Sequence, residues 1–334
     1  MRFGYRADCL DHDTGPRHPE RPDRLRAIRR ALARLHGVEY AEPDPATVEA
    51  VKAVHGSDYV DSVREFCDDG GGSWDADTVA VEVTWRAALS SAGIGRWAAL
   101  EALDGASGND TAFSLGRPPG HHAVANDAMG FCFFNNVAVA AQAALDEGAE
   151  RVAVFDWDVH HGNGTQDIFY EREDVFYASV HERGLYPGTG QVSETGAADG
   201  EGTTLNLAYP PGCGDAEYVY GFDEALVPAV ERFDPDLLLV SAGFDAHERD
   251  PISRMRVSTE GYGLLTERCR TLSEGTDAAL AFVLEGGYGL ECLAESVSMV
   301  HEVFMGREPV TPDDDANEDA RSVVETVRDE LGLD

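Results

Sequence analysis

Residues 151–164 read RVAVFDWDVHHGNG, an apolar run that passes directly into a cluster of aspartate, histidine and asparagine. The first seven residues have the branched and aromatic composition of a buried strand. The glycines that follow break this pattern and predict a turn. We therefore expect a strand whose carboxyl end delivers polar side chains, beginning at Asp158.

Four other apolar runs of similar length alternate with longer alanine-rich or amphipathic stretches. This alternation is typical of an α/β fold in which crossover helices join parallel strands. The other predicted strands are TAFSL at 111–115, DVFYASV at 174–180, DLLLVSA at 236–242 and AFVLE at 281–285. The predicted helices are residues 21–35, 84–103, 135–148 and 218–233.

The chain has 334 residues and 43% hydrophobic content, enough for one large core. No long polar linker interrupts the first 310 residues, which predicts a single catalytic domain over 1–310. Residues 311–334 predict a capped, acidic, amphipathic helix that lies on the surface or frays from it.

The charge balance is extreme, with 26 basic and 62 acidic residues and a net charge of −36. Lys52 is the one lysine. Such a surface indicates adaptation to a cytoplasm rich in potassium chloride, as in a halophile. The alternative, a disordered acidic chain, conflicts with the strand-sized apolar runs. Direct binding to nucleic acid is not expected, because it depends on basic side chains that neutralise phosphates.

The six cysteines are widely spaced, which argues against a zinc ribbon or a disulfide framework and predicts reduced core thiols. No leader-like segment opens the sequence, and no run approaches the roughly 20 apolar residues of a membrane span. We expect a cytoplasmic protein without membrane contact.

Four of the predicted strands lead into polar clusters. The carboxyl ends of parallel strands share one edge of a sheet, so these clusters should meet in one crevice. The clusters are RPPGHHA with His121 and His122, DVHHGNG with Asp158, His160 and Asn163, GFDAH with Asp245, and GGY with Tyr288.

Asp158 and His160 are two residues apart at a strand end, so both side chains can point the same way and share a metal ion. Asp245 would add a second carboxylate. Two carboxylates and one imidazole leave a position open for water, as in catalytic zinc sites. For each residue alone, a role such as helix capping is the competing interpretation.

His121 and His122 can face one cavity if each ring has its own partner, and Asp156 and Asn163 are the candidates. An aspartate would make its histidine more basic, whereas an asparagine would leave a base near neutral pH. His121 could instead be a buried structural histidine. The Tyr288 phenol could donate to an oxyanion or could serve as an aromatic lid.

Several of these stretches together resemble the signature motifs of the histone deacetylase superfamily, over residues about 18 to 290. Asn163 within WDVHHGNG resembles the class II deacetylases and their prokaryotic amidohydrolase relatives. The matching stretches are HPERPDRL at 18–25, RPPGHHA at 117–123, MGFCFFNN at 129–136, DWDVHHGNGTQ at 156–166, YPGTG at 186–190, SAGFDAH at 241–247 and LEGGY at 284–288.

The resemblance implies the arginase-like deacetylase fold, an eight-stranded parallel sheet between helices. It implies one catalytic Zn²⁺, or Fe²⁺ in the cell, held by Asp158, His160 and Asp245. Water would attack an acyl carbonyl polarised by the metal and by Tyr288. His122 would carry the proton from the water to the leaving amine, and His121 would orient the water.

The resemblance also assigns substrate-binding residues. Phe131 and Tyr186 match the aromatic walls of a narrow tunnel, and the Gly130 carbonyl matches the acceptor for the substrate amide. Asp75 resembles a rim aspartate, with Asp77 as the competing alignment. The remaining matches are Arg24 at an inner cavity for released acetate, Ile252 at the tunnel mouth, and a potassium site formed by Asp156 and Ser179 with carbonyls of Asp158, His160 and Val180.

The expected activity is hydrolysis of an acetyl or other acyl amide on a lysine side chain, with release of the free amine. The alternatives are an acetylpolyamine amidohydrolase, an arginase-like two-metal hydrolase and an inactive acyl-lysine binding module. The resemblance places Ile252 where polyamine-selective relatives carry an acidic residue, which favours acyl-lysine. Glu248 and Asp250 lie nearby and could replace that acid, and the net negative charge would attract a polyamine. The oligomeric state is left open.

Overall fold

The computed structural model describes residues 1–105, 111–312 and 314–333. Eight parallel strands form one sheet in the order β2-β1-β5-β10-β9-β6-β7-β8, and a separate hairpin pairs β3 with β4. The strands are β1 (Arg2–Gly4), β2 (Glu39–Ala41), β3 (Gly71–Ser73), β4 (Val79–Val81), β5 (Ala112–Ser114), β6 (Val152–Asp156), β7 (Val175–Glu182), β8 (Thr204–Tyr209), β9 (Leu237–Ala242) and β10 (Ala279–Leu284). The predicted α/β fold is confirmed.

The four strands that lead into polar clusters are adjacent in the centre of the sheet, in the order β5-β10-β9-β6. Their pairings are in register, with Asp156 opposite Ser241 of β9 and opposite Ser179 of β7. All strands of this sheet run in the same direction, so their carboxyl ends open on one edge. Residues distant in sequence therefore meet there.

Helices cover both faces of the sheet. They are α1 (Asp8–Asp11), α2 (Asp23–Leu32), α3 (Val48–Lys52), α4 (Ser57–Asp68), α5 (Thr84–Asp104), α6 (Asn136–Asp146), α7 (Asn163–Phe169), α8 (Asp215–Gly221), α9 (Val227–Phe233), α10 (Thr259–Thr276), α11 (Leu290–Phe304) and α12 (Glu318–Leu331). One hydrophobic cluster includes residues of α2, α10 and α11, and a second includes residues of α4, α5 and α6. The sheet thus has a packed core on each face.

One predicted helix, over 218–233, differs in the structure. It begins earlier, and a π-helical turn at Phe222–Leu226 separates α8 from α9. Pro228 lies in the first turn of α9 and has no backbone N–H to donate to the preceding turn. The missing donor accounts for a change in helical hydrogen bonding at this point.

The C-terminal segment forms α12, which begins at a side-chain cap from Asn317. Its apolar face packs on the core through Ala320, Val324, Val327 and Leu331. Residues 313 and 334 of the predicted segment lie outside the described residues. The division of the chain at residue 310 stays a prediction.

All six cysteines are free and buried. Among the helices that the structure describes, none is long and apolar enough to cross a membrane.

Candidate active site

Three buried side chains meet where β6 and β9 end. Asp158 and His160 lie in the loop after β6, and Asp245 lies three residues beyond the end of β9. Their candidate ligand atoms all lie within 4.8 Å of one another. Nδ1 of His160 is 3.0 Å from Oδ1 of Asp158 and 3.2 Å from Oδ2 of Asp245. The structure thus brings together the three predicted metal ligands.

The geometry of this triad fits a divalent cation. Zinc bonds of about 2.0–2.1 Å in a tetrahedron require ligand atoms about 3.3 Å apart, close to the separations of 3.0 Å and 3.2 Å from Nδ1 of His160 to the two carboxylates. Oδ2 of Asp245 is buried and makes no hydrogen bond with any described residue, although Nδ1 of His160 is near. A buried acceptor without a donor is costly, and a metal ion would satisfy it.

Backbone amides hold the two carboxylates in place. Gly286 N donates to Oδ2 of Asp158 at 2.8 Å, and Val159 N donates to Oδ1 of Asp245 at 2.9 Å. A Cβ atom at Gly243 would lie 2.0 Å from Oδ2 of Asp158, and one at Gly286 would lie 2.2 Å from Oδ2 of Asp245. These two approaches require the glycines in SAGFD and LEGGY.

The triad needs a positive charge. Burial alone would lower the pKa of His160, but the adjacent Asp158 and Asp245 carboxylates outweigh burial and raise it to about 10. Burial would raise the pKa of Asp158, yet the neighbouring His121 and His160 hold it well below its usual range. A divalent cation held by these three side chains would supply that charge.

The two adjacent histidines have the predicted partners. Nδ1 of His121 is 3.0 Å from Oδ2 of Asp156, and Nδ1 of His122 is 2.8 Å from Oδ1 of Asn163. The two rings are 4.0 Å apart, and the His122 ring is 5.7 Å from the His160 ring. Both histidines therefore stand beside the triad.

Their environments push the two pKa values apart. Burial would lower the pKa of His121, but the Asp158 and Asp156 charges raise it to about 10. For His122, burial lowers the pKa, and the His121 and His160 charges lower it further, to well below its usual value. A neutral His122 that donates Nδ1–H to Asn163 keeps a free lone pair on Nε2.

Aromatic rings surround the space beside the triad. The Tyr186 ring is 5.1 Å from the His122 ring, and the Phe131 ring is 5.9 Å from the Tyr288 ring. A Cβ atom at Gly130 would lie 2.4 Å from the His122 ring. The predicted wall and oxyanion residues are thus brought to the same place as the histidines.

The phenol of Tyr288 remains a donor at neutral pH. Burial raises its pKa well above the usual value, and nearby Asp245 and Asp158 raise it further, although Arg24 acts in the opposite direction. A protonated hydroxyl is what an oxyanion would need.

The wall residue Phe131 has a strained backbone with φ of +71°. Its N–H donates to Oγ1 of Thr78 at 3.2 Å, and the His18 ring packs edge-on at 4.7 Å. Nε2 of His18 donates to the carbonyl of Asp77 at 3.0 Å. Oδ1 of Asp75 closes the same loop by accepting from Asp77 N at 2.9 Å and Thr78 N at 2.6 Å. Hydrogen bonds and a ring contact therefore connect loop 75–78 to Phe131, the predicted tunnel wall.

Arg24 lies buried behind Tyr288. Its Nε donates to the carbonyl of Gly287 at 2.7 Å, its Nη2 donates to the carbonyl of Glu285, and its Nη1 contacts Glu20 at 3.3 Å. The guanidinium is 5.0 Å from the Tyr288 ring. Arg24 therefore contacts the loop before Tyr288, and its predicted role in acetate release stays a prediction.

The residues of the predicted potassium site lie on neighbouring strands. Asp156 ends β6, and Ser179 and Val180 belong to β7. Oδ1 of Asp156 accepts from Asp158 N at 3.1 Å, while Oγ of Ser179 is 2.9 Å from Nδ1 of His181. These residues share one region, and binding of a monovalent cation stays a prediction.

Sequence reasoning missed Glu285, which connects the ends of three strands. Its Oε2 accepts from Gly120 N at 2.7 Å and His121 N at 3.2 Å, and its Oε1 accepts from Oγ of Ser241 at 3.1 Å. Burial raises the pKa of Glu285 to about 7. Its position at the end of the apolar run AFVLE could have identified Glu285 as a buried acidic residue near the site.

Comparisons with known proteins agree with this geometry. A family model described as the histone deacetylase domain matches residues 18–304. Histone deacetylase 10, chloroplastic, of Oryza sativa subsp. japonica is 40% identical over 314 residues, which cover 86% of this chain and 70% of that protein. The histone deacetylase-like amidohydrolase of Pseudomonas aeruginosa is 40% identical over 308 residues, covering 84% of this chain and 79% of that protein. The crystal structure of the HDA15 HD domain is similar with a TM-score of 0.91 and 36% identity, covering 99% of this chain and 96% of that one.

Proposed function

The chain belongs to the histone deacetylase family, and from that premise we propose that it hydrolyses the acyl amide of an acylated lysine side chain with the help of zinc. The observation that carries the proposal is the buried triad Asp158, His160 and Asp245 beside two histidines, of which one is paired with Asp156 and the other with Asn163. A carboxylate partner favours a fixed imidazolium, whereas an amide partner leaves its histidine free to act as a base.

Zinc held by the triad would act as a Lewis acid on the acyl carbonyl and make a nearby water more acidic. His122 takes a proton from the attacking water at Nε2 and later returns it to the leaving amine. Cationic His121 stabilises the negative charge that develops, and the Tyr288 hydroxyl donates to the oxyanion. The Gly130 carbonyl accepts the substrate N–H. The products are a carboxylate and a free amine.

Fe²⁺ is the alternative metal, since the same carboxylate and imidazole ligands suit both ions. Potassium is proposed at Asp156 and Ser179, with carbonyls of Asp158, His160 and Val180. Asp75 is proposed to hold the substrate backbone, and Arg24 to accommodate the released acid.

The tunnel mouth favours a neutral acyl-lysine arm. Ile252 occupies the position of the acidic residue in polyamine-selective relatives. The nearby Asp250 does not replace that acid, because its buried carboxylate accepts from three backbone amides. Arg254 lies two residues after Ile252 and pairs with Glu182. The exposed Glu248 is the remaining acid of this stretch.

The test compares an acetyl-lysine peptide with N8-acetylspermidine at about 2 M potassium chloride, where only short-range charge effects persist. We expect the peptide to have the higher kcat/KM. Ile252→Glu should raise the relative kcat/KM of the polyamine, and Glu248→Gln should leave the preference unchanged. A clear preference of the wild type for the polyamine would replace acyl-lysine with acetylpolyamine as the substrate.

The polyamine alternative is favoured by one observation, the net charge of −36, which attracts a polycation. The other two alternatives make different predictions. A two-metal hydrolase would bind two equivalents of metal per chain, and an inactive acyl-lysine binding module would bind the peptide without turnover.

A further inference from the structure

A buried carboxylate beside the site takes no part in the proposed reaction. Asp250 lies in the loop after β9 and is only 7% exposed. Its Oδ2 accepts from Tyr288 N at 2.7 Å and from Gly289 N at 2.8 Å. Its Oδ1 accepts from Ile252 N at 3.0 Å. One side chain therefore joins the loop that carries Tyr288 to the loop that carries Ile252.

The Tyr288 loop needs external support. It follows Gly286 and Gly287, and Gly287 has φ of +114°, a conformation that glycine adopts readily. Glycines have no side chains to pack, so bonds to the backbone must hold the segment. Arg24 supplies them on the carbonyl side, at Gly287 and Glu285. Asp250 supplies them on the amide side.

The two oxygens of Asp250 together accept all three N–H groups. Bonds to a charged acceptor are stronger than neutral ones, which offsets part of the cost of burying the charge. An asparagine of the same shape has one oxygen, and its NH₂ group would face N–H donors. The isosteric change therefore removes an acceptor without removing volume.

We propose that Asp250 is a positioning residue for Tyr288, which holds the backbone at 288–289 so that the phenol points at the substrate carbonyl. This inference rests on the proposed function, because the role of the Tyr288 hydroxyl is itself part of that function. Within the described part of the chain, the Asp250 carboxylate is hydrogen-bonded to backbone amides at 252, 288 and 289, and it acts through Tyr288. Its bond to Ile252 fixes the tunnel mouth with the same side chain.

A double-mutant cycle tests this dependence. Asp250→Asn should lower kcat by about 10-fold to 100-fold, the range of a displaced oxyanion donor or less, with bound metal nearly unchanged. In a Tyr288→Phe background the same change should have little further effect on kcat, because residues that act through one another are not additive. A loss that multiplies fully with that of Tyr288→Phe would overturn the proposal.

Glu217→Gln is the matched control. Glu217 is also largely buried, and it accepts from Gly214 N at 2.7 Å and from Asn317 N at 3.0 Å. It joins α8 to the start of α12, and none of its described hydrogen bonds reaches a residue of the candidate active site. Glu217→Gln should leave kcat unchanged in both backgrounds.

Hydrogen exchange gives a readout that does not require turnover. Amide exchange over residues 285–290 should accelerate at least about 10-fold in Asp250→Asn, the effect of about 1.4 kcal/mol of lost protection, and not in Glu217→Gln. If the wild type hydrolyses no acyl-lysine substrate, the proposed function fails while exchange still tests the loop. Unchanged exchange would refute the inference.

Asp250→Ser, with one oxygen on a shorter side chain, replaces the asparagine variant if the latter does not fold.

Discussion

At the scale of single residues, Asp158 combines two tasks. Its Oδ1 accepts from the backbone N of His160 at 2.9 Å, and its Oδ2 accepts from Gly286 N at 2.8 Å. The carboxylate thereby orients both the triad and the loop before Tyr288. Removal of the Asp158 side chain would therefore reduce the number of metal ligands and would also release the loop before Tyr288.

Asp158→Ala should abolish both zinc binding and hydrolysis, because two remaining ligands cannot hold the ion tightly. Metal content after gel filtration and acetyl-lysine turnover measure the two effects. Asp174→Ala, which removes a partly exposed carboxylate paired with Arg172 at 2.7 Å, should retain both. A metal-free variant at position 158 with full activity would contradict the triad assignment.

Tyr288→Phe removes one hydroxyl and should lower kcat by roughly 10²–10³, the usual cost of one oxyanion donor, while zinc content and fold persist. Tyr262→Phe is the control, because the Tyr262 hydroxyl is buried and has no hydrogen-bond partner in the described ranges of the chain. Its removal should leave turnover unchanged. Equal kcat for wild type and Tyr288→Phe would make Tyr288 an aromatic lid.

At the scale of secondary-structure elements, the start of α6 depends on a histidine from a distant segment. Nε2 of His55 accepts from Asn135 N, the cap residue of α6, at 2.9 Å, and Nδ1 donates to the carbonyl of Val124 at 3.0 Å. Burial lowers the pKa of His55 to about 4, although bonds to backbone carbonyls oppose the shift. A second proton would leave Asn135 N without its acceptor.

This pKa predicts acid sensitivity. The unfolded state takes up the proton near pH 6.5 and the folded state only near pH 4. The His55 contribution to the free energy of unfolding is therefore complete above pH 6.5 and falls by about 1.4 kcal/mol per pH unit between these values. Urea unfolding at pH 7 and pH 5 should show a smaller acid loss for His55→Gln than for wild type. Exposed His36→Gln should match the wild type, and an equal loss in all three would exclude His55 as the cause.

The sequence predicted the central elements better than the edges. Strands β6, β9 and β10 are buried on both faces, so each is a continuous apolar run. Strands β1 (RFG) and β2 (EYA) each contain a charged residue and form no apolar run, unlike the equally short β5 (AFS), and β8 mixes threonine and asparagine with leucine.

The residues of the candidate site likewise divide into those that the sequence predicted and those that it did not. The triad was predictable because strand ends share an edge. The bonds from Asp250 to Tyr288 and from His18 to Asp77 depend on loop conformations that no periodicity encodes.

At the scale of the whole molecule, the net charge of −36 is the dominant property. Repulsion among carboxylates opposes folding, and salt screens it as the Debye length shrinks to about 3 Å near 1 M. This balance underlies the proposed adaptation to high salt.

We expect the free energy of unfolding and the activity to fall on transfer from about 2 M to about 0.05 M potassium chloride, because screening weakens strongly over this range. Thermal unfolding followed by circular dichroism, together with turnover, measures the change. Sodium chloride at the same ionic strength is the control, since it screens charge equally and should restore stability. Equal stability at both salt concentrations would refute the halophilic interpretation.

The position of β10 in the sheet determines which parts of the sheet can form first during translation. Among the described strands, β10 alone pairs with both β5 and β9, yet it is the last strand of the chain. A nascent chain that ends before residue 279 can form two partial sheets, β2-β1-β5 and β9-β6-β7-β8, with open edges that invite aggregation. All three residues of the triad belong to the second of these. The growing polypeptide therefore carries the three candidate ligand side chains before it carries Gly286, whose N orients Asp158, and Tyr288, so the complete site forms only after β10 has joined the two partial sheets.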